Sequence, residues 1–195
     1  ILERPTKDID VVCIGDGIAL AHETAKQFEP IPHVNFFKNF GTAQIKIDFP
    51  PDENSEEPST VEIEFVGARR ESYNYDSRNP LVEAGTLKDD QDRRDFTINA
   101  MAFSLNAADY GALIDPFDGM ADVEKKIIRT PLSPVETFSD DPLRMMRAVR
   151  FSAQLGFTIE PETYRAIKPI ANRIRIVSRE RIADELNKIL LCKKP

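Results

Sequence analysis

Apolar and polar residues alternate through "VEIEFVGAR": Val61, Ile63 and Phe65 fall on one side, Glu62 and Glu64 on the other. That is the period-two pattern of a half-buried strand. "KDIDVVCI" alternates similarly and is rich in β-branched residues, so it too is expected as a strand. Asp16-Gly17 then turns into "IALAHETAKQF", an expected helix to Phe28 that "EPIPHV" breaks. "VNFFKNFG" and "TAQIKIDF" read as two strands joined at Gly41. "PPDENSEEPST" is acidic, proline-rich and almost devoid of apolar residues, the composition of a solvated loop. Glu71 to Gly85 carries so little apolar pattern that a mobile loop is expected there.

From Thr86 the pattern is mixed: a short helix near "LKDDQDRRD", then "FTINAMAFSLN" and "GALIDPFDG". Beyond Asp118 it is mainly helical, through "MADVEKKI", "SDDPLRMMRAVRF", "EPETYRAIKPIA" and "SRERIADELNKILL". Ser139 and Ser178 are expected N-caps, since a side-chain oxygen there can accept from first-turn amides. Pro142 in a first turn removes only a donor that has no helical partner. Within "SDDPLRMMRAVRF", Met146, Val149 and Phe151 are expected to pack into the core. The division is expected near Pro131 to Pro134, giving a sheet-based domain over 1–131 and a helical unit over 132–195. The fold class read from this order is α+β, a small mixed sheet followed by helices.

Composition narrows the class further. The chain has 195 residues, 41% hydrophobic and 30% charged, ordinary for a soluble globular protein with a real core. No apolar run approaches the roughly 20 residues of a membrane span. The opening "ILERPTKDIDVV" has neither a starting Met nor a signal-peptide layout, and reads as the middle of a longer protein. Cys13 and Cys192 lie far apart outside any ligand motif, which suits reduced thiols in the cytoplasm. A net charge of −7 argues against a broad nucleic-acid-binding surface on this segment. A polyanionic partner would have to be met by a local basic patch or by other parts of the protein.

Two constellations carry chemistry. Asp8 and Asp10 are two apart on an expected strand and project from one face. Carboxylates so close repel unless a cation lies between them, and hard divalent cations such as Mg²⁺ take oxygen ligands. Glu64, or Glu62, on the other acidic strand is available as a third acid of the kind used in two-metal phosphoryl transfer. The second constellation is Asp141 followed by Arg144, Arg147 and Arg150. Steps of three advance a helix by about 300°, so Asp141, Arg144 and Arg147 span one broad polar side and Arg150 lies further round. Arg150 is equally well read as a phosphate contact or as half of an internal salt bridge. His22 and His33 are isolated and offer no metal or base role.

Read in order, "RPTKDIDVV", "RRDFTINAMAF", "LIDPFDGMADVEKKIIRTP", "SDDPLRMMRAVRFSAQLGF" and "SRERIADELNKIL" resemble the head and neck of class II tRNA nucleotidyltransferases. These are the CCA-adding enzymes, with the similar bacterial poly(A) polymerases, on a polymerase-β-like fold. The resemblance covers nearly the whole chain and is weakest from about Ile14 to Thr60. It implies that Asp8 and Asp10 bind Mg²⁺ and that Glu64 completes the acidic set. It implies that Arg94 and Asp95 contact the ribose and phosphates with Asn99 in support, and that Asp141, Arg144, Arg147 and Arg150 form the nucleotide-binding helix. Glu180 and Arg181 are implied to brace that helix. The family's Gly-Gly turn and following Arg-Asp pair would precede Ile1, and the first acid of its usual Glu-Asp pair is Asp140 here.

The resemblance supplies a role for the arginine helix that hydrogen-bond chemistry explains. Adenine and cytosine both present an amino donor beside a ring-nitrogen acceptor. Ionised Asp141 only accepts and guanidinium Arg144 only donates, so together they complement both bases. Guanine and uracil reverse the pattern, and each unpaired buried group costs about 1–3 kcal/mol. The implied activity adds CMP and AMP from CTP and ATP to a tRNA 3′ end, releasing pyrophosphate. An AMP-only enzyme, either a poly(A) polymerase or an A-adding partner, and a non-catalytic nucleotide- or RNA-binding module are the alternatives.

Overall fold

A computed structural model of the chain describes residues 8–37, 41–50, 59–72 and 81–193. Its contacts divide the chain into two compact units, Ile1–Arg70 with Glu83–Asp89, and Glu71–Val82 with Asp90–Pro195.

The first unit is built on a four-stranded sheet of order β1-β4-β3-β2. The strands are β1 (Asp8–Cys13), β2 (Asn35–Phe37), β3 (Thr42–Phe49) and β4 (Ser59–Gly67). β1 runs parallel to β4, whereas β3 is antiparallel to both β4 and β2. Helix α1 (Gly17–Ala25) covers one face: Ala21 and Ala25 pack with Ala43, Ile45, Ile47 and Phe65. The Asp16 Oδ1 accepts from the Ile18 and Ala19 amides at 2.9 and 3.2 Å, which starts the helix by satisfying two unpaired donors. A Cβ at position 17 would lie 2.9 Å from the backbone of Val66 and Gly67, so glycine is what lets α1 begin against β4.

The expected loop from Glu71 to Gly85 is corrected at both ends, where β5 (Arg69–Ser72) pairs with β6 (Leu81–Ala84). Ladder formation uses backbone groups, and the β6 side chains are all exposed, so no apolar alternation was there to signal it. Residues 73–80 of that expected loop, and most of the acidic loop before β4, lie outside the described residues.

The second unit is mainly helical. Helix α2 (Leu87–Asp92) leads into it, followed by a 3₁₀ turn (Thr97–Asn99) and the paired β7 (Ala102–Phe103) and β8 (Leu113–Ile114). Then come α3 (Gly119–Lys125), β9 (Ile127–Ile128), α4 (Pro134–Asp140), α5 (Leu143–Leu155), β10 (Thr158–Ile159), α6 (Pro161–Ile170) and α7 (Arg179–Leu190). One cluster holds it together: Phe96, Ile128, Phe138, Met145, Ala148, Phe157 and Ala166. The boundary expected at 131–134 therefore falls inside this unit, because Phe96 and Ile128 pack with residues that follow it, and β9 pairs with β10.

The helix expected to start at Ser139 is two helices. Asp141 between them is extended, with φ −134° and ψ 100°. A proline disfavours the helical conformation of the residue before it, so Pro142 stops α4 and lets α5 begin in a new direction. Ser139 lies in the last turn of α4 and is not a cap; the Asp141 Oδ1 instead accepts from the Leu143 amide at 3.1 Å. Gly156, at φ +69°, ends α5 in the left-handed conformation. The buried side of α5 is Leu143, Arg144, Met145 and Ala148, whereas Val149, expected in the core, is 43% exposed. Among the described residues no helix is long and apolar enough to cross a membrane.

Phe138 is fully buried in the shared cluster. Phe138→Ala should lower the unfolding free energy by about 3–5 kcal/mol, read as a shift of the urea midpoint with an unchanged slope.

Candidate functional site

The first unit brings its acids together by register. Asp8 pairs with Glu62 and Asp10 with Glu64 across the β1–β4 ladder, and Glu62 and Glu64 in turn pair with Lys46 and Gln44 of β3. Directly paired residues share a face, so two rows of acids lie on the side of the sheet away from α1. Asp8 and Asp10 are exposed. Glu62 is bound by the Lys46 ammonium and accepts from the Gln44 amide at 3.2 Å, while Glu64 has the longer 3.4 Å contact with Gln44. Lys46 and Gln44 escaped the sequence reading, although their alternation with Ala43, Ile45 and Ile47 places them on this face. Among the described residues no three His, Cys, Asp or Glu side chains converge as a finished ligand cluster. The oxygen-only donors Asp8, Asp10 and Glu64 are nevertheless the type that suits a hard divalent cation.

The second unit contains a ladder of acids and arginines. Asp90 is 1% exposed and holds two guanidinium groups, one on each oxygen. Oδ1 accepts from Arg93, with Nε at 3.0 Å, and Oδ2 accepts from Arg94 Nε and Nη2 at 3.1 and 2.8 Å. Arg93 also faces Glu71 at 3.4 Å. Asp95 is buried as well: Oδ1 accepts from the Phe96 amide and from Asn99 at 2.9 and 3.0 Å, and Oδ2 from Arg147 at 2.7 Å. The Glu185 carboxylate, on α7 and 4% exposed, accepts from Arg150 at 2.7 Å and lies 3.9 Å from Arg147. The Arg150 guanidinium also sits 4.0 Å from the centre of the Phe151 ring, a cation–π contact.

Arg144, only 9% exposed, is clamped by backbone carbonyls. It donates to the Thr137 oxygen at 3.2 Å and to the Arg93 oxygen at 2.6 Å. Asp141 keeps one oxygen on the Leu143 amide and the other on Arg181 at 3.1 Å. Arg181 thus braces the α4–α5 junction, and the acid that meets Arg147 and Arg150 is Glu185. Burial pushes the Asp140 carboxyl above its ordinary pKa, with Arg144 nearby pulling the other way.

Of the residues singled out in the sequence, Arg94, Asp95, Asn99, Asp141, Arg144, Arg147 and Arg150 all belong to this second unit. Its bonds link Asn99 to Asp95, Asp95 to Arg147, and Arg147 to Glu185 and so to Arg150. Asp8, Asp10 and Glu64 belong to the first. Sequence reasoning missed Asp90, Glu71 and Glu185. Asp90 had a visible signal, standing three and four residues before Arg93 and Arg94. Glu185 meets Arg150 from 35 residues away, a pairing that no local spacing reveals.

Comparison with known proteins now adds the family. A model of the poly A polymerase head domain matches residues 1–129. The chain belongs to the poly A polymerase head-domain family. A second model, of the probable RNA- and SrmB-binding site of polymerase A, matches residues 156–195. The A-adding tRNA nucleotidyltransferase of Aquifex aeolicus is 41% identical over 172 residues, 88% of this chain and 19% of that protein. The CCA-adding enzyme of Lactiplantibacillus plantarum is 46% identical over 129 residues, 65% of this chain and 31% of that protein. A solved tRNA nucleotidyltransferase, complexed with a primer tRNA and an incoming ATP analogue, superposes with a TM-score of 0.77 at 36% identity. That match covers 97% of this chain and 52% of the other, so the chain spans about half or less of the relatives it matches.

Removing Glu185 takes the carboxylate partner from the Arg150 guanidinium, whose side chain is only 12% exposed. Glu185→Ala should destabilise the fold by about 3 kcal/mol or more, and Glu185→Gln by less, measured as urea midpoints at neutral pH.

Proposed function

We propose that the chain is the nucleotide-handling part of a template-independent RNA nucleotidyltransferase that adds CMP and AMP from CTP and ATP to the tRNA 3′ end. The reaction joins the terminal 3′-oxygen to the α-phosphorus and breaks the bond to the β-phosphate bridging oxygen, so pyrophosphate leaves. The observation that carries this reading is the register that aligns Asp8 and Asp10 with Glu62 and Glu64 on the uncovered face of a sheet. The family match supports it. The functional division would set a head over 1–131 against a neck over 132–195, following the extents of the two family models more closely than the packing does. Such an enzyme works where tRNA is processed, in the cytoplasm.

Asp8 and Asp10 would hold Mg²⁺, with Glu64 as the third acid. A divalent cation at such a site neutralises triphosphate charge and lowers the pKa of the attacking hydroxyl. The chain's own residues would supply the rest. Arg94 would bind ribose and phosphate oxygens, and Asp95 and Asn99 would hold the turn that carries it. Arg147, a third exposed, would offer its remaining donors to the phosphates, while Arg150, paired with Glu185, would hold α5 in place for nucleotide binding. Base choice would fall to Asp141 and Arg144. A guanidinium has five N–H groups and a carboxylate about four acceptor sites. Arg144 can therefore keep its two carbonyls, and Asp141 its Leu143 amide, and each would still have sites to spare for a base edge. Held by backbone, Arg144 would keep one orientation for either nucleotide, which is what a protein acting as template requires.

An A-adding enzyme is the second reading, favoured by the longer alignment with the A-adding relative than with the CCA-adding one. CTP supplied alone to the full-length protein with tRNA lacking its CCA end decides between them. Incorporation of CMP is the expected result. Failure there, with AMP added to tRNA already ending in CC, would leave the A-adding reading. Asp8→Ala combined with Asp10→Ala should reduce nucleotide incorporation by at least about 100-fold; unchanged incorporation would mean that these acids are not catalytic.

A further inference from the structure

We propose that Asp90 is a positioning residue that sets the orientation of two cationic groups at once, the Arg94 side chain directly and the Arg144 side chain through the backbone of Arg93. This rests on the reading above, in which Arg94 and Arg144 face the nucleotide. Acid–arginine pairs three and four residues apart on a helix are ordinarily exposed and contribute little. Asp90 differs because it is 1% exposed, and a carboxylate so deprived of water needs full pairing. It receives that pairing from consecutive arginines, each gripping one oxygen.

The two arginines are then used differently. Arg93 is 17% exposed and is shared with Glu71, so it is neutralised inside the protein. Arg94 is 31% exposed and docks on Asp90 through its Nε–Nη2 edge. A guanidinium is planar, so fixing that edge aims the Nη1–Nη2 fork, the pair of donors that fits phosphate or vicinal hydroxyl oxygens. The Arg93 carbonyl, on the same short segment, accepts from Arg144 at 2.6 Å. One buried acid thereby anchors a turn whose side chain and main chain each orient a different cation.

Steady-state tRNA extension by the full-length protein tests this with Asp90→Asn, Arg94→Ala and the double variant. Asp90→Asn should raise KM for ATP about tenfold with kcat changed by less than about threefold. The double variant should be worse than Arg94→Ala alone, but by clearly less than about tenfold, because Asp90 acts partly through that side chain and partly through Arg144. A KM within twofold of the parent's, a loss confined to kcat, or multiplicative effects in the double variant would each overturn the proposal. If Asp90→Asn does not fold, Arg94→Lys serves instead, since it keeps the charge but loses the two-edged geometry. It should raise KM about as much as Arg94→Ala, and a KM like the parent's would refute positioning. A parent protein that extends no tRNA would refute the activity. Equilibrium dialysis with ATP would still decide Asp90, a weakening of about tenfold in Asp90→Asn supporting it and an unchanged affinity overturning it.

Discussion

A carboxylate removed from water must find a cation or donors, and the second unit is organised by that requirement. Asp90, Asp95 and Glu185 are all buried, and each is met by one or more arginines. Their partners come from different elements: Arg147 of α5 ties to Asp95 before the 3₁₀ turn, and Arg150 of α5 ties to Glu185 of α7. Apolar packing around Phe96, Phe138 and Ala148 supplies the area buried, but it is non-directional. The ion pairs are directional, so they fix the rotation of α5 about its axis and thereby which arginine points where.

The first unit solves the opposite problem. Four of its acids, Asp8, Asp10, Glu62 and Glu64, share a face; Lys46 goes to Glu62, and Gln44 divides its donors between Glu62 and Glu64. Repulsion between aligned carboxylates is tolerable because Asp8 and Asp10 remain exposed, where water screens them. In the function proposed above, a bound cation would relieve that repulsion. The second unit thus spends its charges internally to make a rigid frame, whereas Asp8 and Asp10 of the first lie exposed on its sheet.

Rigidity would matter for the base choice proposed above. A side chain that selects by hydrogen-bond pattern loses discrimination if it can swing to suit the wrong base. Arg144 is held by two carbonyls and Asp141 by the Leu143 amide and Arg181, so the protein itself fixes both. Preorganised donors and acceptors lose little freedom on binding and keep their directional preference.

Local pattern determined a good deal of this molecule. Alternation in "VEIEFVGAR" and "KDIDVVCI" located β4 and β1, and the two-residue spacing of Asp8 and Asp10 put both acids on one face. Those inferences hold because side-chain direction in a strand follows from backbone geometry alone. The loop expected from Glu71 to Gly85 hid β5 and β6, since strand pairing at an exposed edge leaves no apolar signature. The break at Asp141 has its signal in Pro142, although a proline there equally suits the first turn of a helix capped at Ser139. Only the tertiary structure decided that Arg144 is buried on carbonyls and not on a solvated strip, and that Glu185 holds Arg150. A helical spacing states which residues are neighbours on one helix. Which neighbour meets a buried acid depends on a second element arriving from far along the chain, and that is set by packing.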